Sequence, residues 1–180
     1  MANTVAPRLT AALDAFFAWF YRTFPVSATF IGVHEYDHRL PDFSEHALGD
    51  TLAVLTGLQR ELRGLPAEPL TAGERLDRTL AEGALEIFHW EIGSRHFARG
   101  NPCVYTGEAV FGVIALLLRP FAPLNVRVAA ATDRMMAIPA FLAQGRANVL
   151  QAPSPWIERA IRECDGALAL FERGVEMFIR

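Results

Sequence analysis

The feature that most limits what this chain can fold into is its hydrophobic rhythm, which steps by three and four residues almost throughout and therefore calls for helices packed face to face. A first segment, about residues 5 to 24, sets Leu9, Leu13, Phe16, Phe20 and Phe24 on one stripe and ends against Pro25, because the residue before a proline is pushed out of the helical region. A second helix is expected after Ser44, whose hydroxyl can accept from the first free amides, and runs to about Arg63 with Leu48, Leu52, Leu55 and Leu58 facing inward. The stretch GLPAEPL that follows reads as a loop. Thr71-Ala72-Gly73-Glu74 is a capping box and the best-marked boundary in the chain. The helix it opens carries two apolar stripes, Leu76, Leu80, Ile87, Trp90 and Phe97 on one and Ala81, Leu85, Phe88 and Ile92 on the other, which predicts a central place in the bundle.

Residues 101 to 124 are punctuated by Gly and Pro and are expected to hold one short helix or a turn of strand. A fifth helix begins near Asn125, with Pro139 expected to bend or restart it. The last helix is predicted to start at Ser154 as N-cap with Pro155 at the first helical position. Its stripe of Ile157, Ile161, Cys164, Leu168, Phe171, Val175 and Phe178 is flanked by the small residues Ala160, Ala167 and Gly174, and is still in phase at Arg180. The expected fold is all-α, an irregular multi-helix bundle of about five to six helices forming a single helical domain over residues 1–180.

A chain of 180 residues buries roughly 70% of its unfolded surface. With 52% hydrophobic residues and a mean hydropathy of +0.19, its polar surface must be gathered on narrow helix faces. The longest apolar run, Val113 to Leu118, falls far short of the ~20 residues that span a bilayer, so no membrane helix is expected. A net charge of -3 offers phosphate backbones no general attraction, which excludes nucleic acid as an expected partner. All 17 basic residues are arginine, which coding bias explains more simply than a role in bidentate carboxylate binding. Asp14 interrupts the apolar start, no small-x-small cleavage site follows it, and the two cysteines, Cys103 and Cys164, suit a reducing compartment, so the chain reads as cytoplasmic.

His34-Glu35-Tyr36-Asp37-His38 matches the H-E-x-x-H pattern, in which a helix sets two histidines on one zinc and the Glu polarises the bound water; Glu61 is the nearest downstream carboxylate for a third ligand. Against zinc stand Asp37 at an inner position of a helix that is normally buried, and Gly32 and Pro41, which leave two turns of helix at most. The reading favoured is a polar loop in which Asp37 and the two histidines cap or pair locally, the Asp37 carboxylate accepting backbone amides in the turn toward Pro41. Glu35 to His38 and Glu86 to His89 also fit the E-x-x-H of a di-iron bundle, but their order along the chain does not. The stripe Glu82, Glu86, His89 and His96 reads as a solvated helix face. Arg127 and Arg134, seven apart on one helix, suit an anion clamp or, more simply, surface or intramolecular pairing with acids.

Three stretches in order, FPVSATFIGVHEYDHRLPDFS (residues 24–44), NPCVY (residues 101–105) and DRMMAIPAFLAQGRANVLQAPSPWIERAI (residues 133–161), resemble the N-terminal part of the bacterial domain-of-unknown-function family 885. The resemblance covers nearly the whole chain and implies a mostly helical fold, one half of a longer zinc metallopeptidase-like protein whose metal motif lies far downstream. On that reading His34 to His38 stands where the family shows a G-x-x-x-Y-D pattern, matched by Gly32, Tyr36 and Asp37. The two histidines are then incidental, no catalytic, cofactor-binding or metal residue is carried over, and zinc is implied only for full-length members.

Three functional readings follow. The first is the N-terminal helical region of a metallopeptidase-like protein, inactive alone, partnered by a missing C-terminal half or self-associating through its last helix, with a peptide ligand in the full-length context. The second is a self-sufficient helical interaction module, and the third a small zinc hydrolase using His34, Glu35 and His38.

Overall fold

The computed structural model describes residues 5–66 and 68–174. Among them are seven α-helices: α1 (Val5–Thr23), α2 (Pro25–Phe30), α3 (Glu45–Arg63), α4 (Ala72–Gly93), α5 (Pro102–Leu118), α6 (Leu124–Asn148) and α7 (Ser154–Ala169), the last followed by a π-helical turn, Leu170–Gly174. No strand occurs among the described residues, so the all-α expectation holds with more helices than the five to six anticipated.

The difference begins at Pro25. Read as a stop, it is also a start: with φ preset by its ring and no amide to satisfy, it takes the first position of α2, while Phe24 still donates its amide to Phe20 O at 2.8 Å. α3 and α4 begin where their caps predict. Ser44 Oγ accepts from Ala47 N at 3.3 Å, and Thr71 and Glu74 exchange both bonds of the capping box. These bonds from Thr71 hold the Glu74 carboxyl below its usual range. Residues 102–118, expected to hold a short helix or a strand turn, form the 17-residue α5, opened by Asn101 accepting from Cys103 N with Pro102 just inside. α6 runs through Pro139 without interruption, and Ser154 is the first residue of α7 rather than its cap.

The main core is an aromatic cluster where α1, α4 and the segments before α3 and α5 converge. Phe88 lies 5.3 Å from Trp19 and 5.4 Å from Phe24, and Phe43 lies 5.4 Å from Phe97 and 5.9 Å from Tyr105, mostly in tilted or edge-to-face arrangements. Leu48, Leu55, Leu58 and Leu62 of α3 and Ala81, Leu85 and Ile92 of α4 complete it. The stripe that starts at Leu76 does not go inside along α4, and only its last member, Phe97, beyond the end of that helix, packs against the core. Leu76, Leu80, Ile87 and Trp90 are between 56% and 62% exposed, so α4 is an outer helix with one buried face rather than the central one predicted. A smaller cluster of Val113, Leu116, Leu117 and Ala131 joins α5 to α6.

Close approach of α5 and α6 depends on Gly145, where an added Cβ would lie 2.7 Å from the Tyr105 ring. Tyr105 is fixed by its hydroxyl, which donates to Ala98 O and accepts from Asn148 Nδ2, and so cannot give way cheaply. Gly145→Ala is expected to lower stability by about 1–3 kcal/mol, read by chemical denaturation.

Candidate functional site

The loop between α2 and α3 is closed by one buried guanidinium. Arg134 of α6 has no exposed surface; its Nη1 donates to Gly112 O at 2.6 Å, and its Nη2 donates to Thr29 Oγ1 at 2.7 Å and to Pro25 O at 3.2 Å, with Tyr36 O at 3.5 Å. Thr29 Oγ1 donates onward to Asp37 Oδ1 at 2.6 Å, and that oxygen stands 4.0 Å from Arg134 Nη2. Burial lowers the Arg134 pKa to about 10, against the opposing pull of Asp37 and Glu108, so the group stays charged near neutrality. Gly32, at φ 90°, supplies the left-handed residue on which the chain turns into the loop.

This junction agrees with some expectations, the polar loop and the local pairing of His34 with Asp37 among them, and corrects others. Asp37 is structural, but its carboxylate meets Thr29, His34 and Arg134 instead of the backbone amides of its own turn. His34, Glu35 and His38 lie in a turn and not on a helix. The His34 Nδ1 is 3.0 Å from Asp37 Oδ2 and its ring stacks on Phe121 at 3.7 Å, while Glu35 and His38 face solvent. Arg127 and Arg134 are both buried rather than on the surface, and Arg127 pairs with no acid among the described residues: it donates to Leu116 O, Leu117 O and Ala122 O and so caps α5. Glu61 and Glu86 are exposed on α3 and α4, His89 reaches Thr56 Oγ1 at 3.4 Å, and His96 sits between Trp90 and Trp156. Cys103 bonds Trp156 O at 3.3 Å and burial raises its thiol pKa; Cys164 is exposed.

Glu108 is a group that motif reading missed. Its Oε2 is buried without a hydrogen-bond partner among the described residues, and burial lifts its carboxyl to about 7 against the opposing pull of Arg134. The signal available was a lone acid inside the apolar run of α5.

The other feature is a groove along α7. A cleft of about 1150 Å³ between the start of α3, Arg95, Arg99 and residues 147–153 reaches Ile157. One of about 380 Å³ continues past Ile157, Ile161 and Cys164, and one of about 360 Å³ runs from Cys164 past Leu168 to Phe171 against α5 and α6. Ile157, Ile161 and Leu168 are 45%, 57% and 61% exposed, so the stripe predicted on this helix is largely uncovered as far as the structure describes it. Val175 and Phe178 lie outside the described residues.

Residues 25–178 match the sequence profile of the family described as "Bacterial protein of unknown function (DUF885)". The chain belongs to this family. A solved structure described as "a putative lipoprotein of unknown function from Shewanella oneidensis" is similar to this DUF885 chain, with 27% identity and a TM-score of 0.81 over 97% of the chain. The match takes in 31% of that protein, so this chain spans about a third of its length. No protein with a curated description matches.

In this DUF885 chain the three stretches that carry the resemblance meet in space. Arg134 and Gly145 come from the third, Thr29, Tyr36 and Asp37 from the first, and Tyr105 from the second. Gln144 and Asn148 clamp the extended segment of the first, Gln144 Oε1 accepting from Phe43 N at 2.8 Å and Asn148 Nδ2 donating to Phe43 O at 2.6 Å. The motif residues are thus a latch on the loop. Zinc, implied by the resemblance for longer members, finds no donor set in these residues: no three His, Cys, Asp or Glu among those described are grouped to hold a metal ion, and His34 is turned to Asp37.

Two measurements check this assignment. Asp37→Ala is expected to lower the thermal midpoint, the lost partner of Thr29 and Arg134 costing about 1–3 kcal/mol. Because the folded Glu108 pKa is raised from 4.5 to about 7, its contribution is most favourable below pH 4.5 and is lost as pH rises through 7. Glu108→Gln is therefore expected to be more stable than wild type at pH 8, with a gap that closes as pH falls toward 4.5 in denaturant titrations.

Proposed function

We propose that this chain acts as the N-terminal helical region of a longer DUF885 protein, inactive alone, whose α7 groove receives the remainder of the fold. The observation that carries this reading is the stripe of Ile157, Ile161 and Leu168, more than two-fifths exposed at each position and bordered by clefts on both sides. Contiguous apolar exposure beyond a few hundred Å² is uncommon on monomers and marks an interface. The solved relative, about three times as long, supplies further chain of the kind such a groove needs.

On this reading the zinc metallopeptidase chemistry that the resemblance implies belongs to other parts of the longer protein. Here the residues give structure: the latch at Arg134 and the face that docks. A peptide ligand likewise belongs to the larger assembly. Location has two opposed supports. The two cysteines favour the cytoplasm, the relative's description as a lipoprotein favours the envelope, and cell fractionation separates them. No helix among the described residues is long and apolar enough to cross a membrane.

The isolated chain is expected to self-associate and to bind a hydrophobic dye. Light scattering and dye fluorescence should both fall when Ile161, Leu168 and Phe171 are changed together to polar residues. A wild-type chain that is monomeric and silent to the dye would overturn this reading in favour of a self-sufficient interaction module.

A further inference from the structure

The two flanks of the exposed stripe on α7 differ in chemistry. Ile157, Ile161, Cys164, Leu168 and Phe171 follow one another in steps of four and three, the spacing of a two-helix seam. On the inner flank Ala160 is buried and Ala167 lines the cleft against α5 and α6, both small enough to let the helices close. On the outer flank Glu158 and Asp165 stand one heptad apart, and Glu172 continues that spacing in the π-helical turn. All three acids are exposed, and Asp165 lines the cleft that runs past Ile157 and Ile161.

These carboxylates are not met from within the chain. None of them is in an ion pair among the described residues; the pair that α7 does form is Arg159 with Glu163 at 2.7 Å, and Arg162, set beyond the acids from the stripe, bonds to neither of its acidic neighbours. The opposite walls of the two clefts carry no charge, with Met135, Ile138 and Leu142 of α6 in one and Val149, Leu150 and Ala152 in the other. The groove is thus an apolar trough with a single acidic lip.

In a two-helix seam the residues that flank the stripe choose the partner, by meeting opposite charge on the facing helix. A trough of this kind therefore fits a helix whose apolar face is edged on one side by basic residues. A second copy of this chain fits less well. Packed antiparallel, it sets acidic lip against acidic lip; packed parallel, it sets the acids against Ala160, Ala167 and Gly174, which offer no charge. Self-association of the isolated chain is then a substitute contact, driven by the stripe and opposed by its flank.

Resting on the reading of this groove as the seat of the remainder of the fold, we propose that its occupant is an amphipathic helix with Lys or Arg at every seventh position along one edge, laid so that these side chains meet Glu158, Asp165 and Glu172.

The test uses the whole chain and two stapled helices of roughly three heptads, with Leu at both stripe positions and either Lys or Glu along one flank, titrated by calorimetry at pH 7 and low salt. The Lys helix is expected to bind saturably, one per chain, and about tenfold or more tightly than the Glu helix, the sum of several exposed pairs made in one case and opposed in the other. Added salt should narrow the difference, because exposed charges are screened. Glu158→Lys, Asp165→Lys and Glu172→Lys introduced together should reverse the order of the two helices with no fall in thermal midpoint, since all three side chains are exposed. Equal affinity for the two helices, an order that the triple variant leaves unreversed, or no saturable binding of either overturns the proposal. If the wild-type chain still scatters light and binds the dye, the groove stands as an interface and only the chemistry of its partner is wrong; if it is monomeric and silent to the dye, both readings fall.

Discussion

Everything between α2 and α3 is held by a guanidinium that cannot leave. A charge buried without partners costs several kcal/mol, so Arg134 can occupy a site with no solvent exposure only if its donors are met where it lies. Gly112 O, Pro25 O, Thr29 Oγ1 and the Tyr36–Asp37 turn meet most of them. These acceptors are placed by α5, by α2 and by the loop that follows α2, and the arginine in turn fixes all three relative to one another. A lysine would not serve, because a single ammonium cannot fan out to acceptors on both sides of a plane and neutralises more readily when buried. The bound loop then delivers Phe43 into the aromatic core, where it meets Phe97, Tyr105 and Phe141.

The same helices that make this polar junction leave a good deal of apolar surface outside. Such surface is not evenly spread. On α7 it borders clefts and faces α5 and α6 only in part, whereas on α4 it is a plain outer stripe of Leu76, Leu80, Ile87 and Trp90. A concave face is shaped by its neighbours and selects what fits it; a convex stripe is not. This is why the groove, rather than the larger number of exposed side chains, bears the functional reading.

Local chemistry was the legible part of the sequence. Ser44, Thr71, Glu74 and Asn101 act on amides two or three residues away, so their effect depends on little besides their neighbours, and the starts of α3 and α4 follow from them. Pro25 shows the limit: the ring that ends one helix is equally fit to begin the next, and here it does both, with Phe24 packed into the core between them. The two stripes of α4 are alike in composition, and only the position of α1 and α3 determines which is covered. The junction was legible as a pattern, Gly32 with Tyr36 and Asp37, but not as a mechanism, because the decisive partner lies about a hundred residues away, Arg134 standing 98 positions after Tyr36. Glu108 carried no motif at all.

That separation has a consequence for how the protein is made. The bonds that latch the loop join residues 98 to 109 apart, among them Arg134 with Thr29 and Asn148 with Phe43. A ribosome adding roughly 5–20 residues per second must work for several seconds after Asp37 has emerged before Arg134 follows. During that interval α1, α2 and the aromatic side chains around Phe24 are already synthesised, while the loop has its anion and lacks its cation. The nascent chain therefore spends its early life with an unlatched hairpin of helices and exposed rings, the window in which a chaperone would find it.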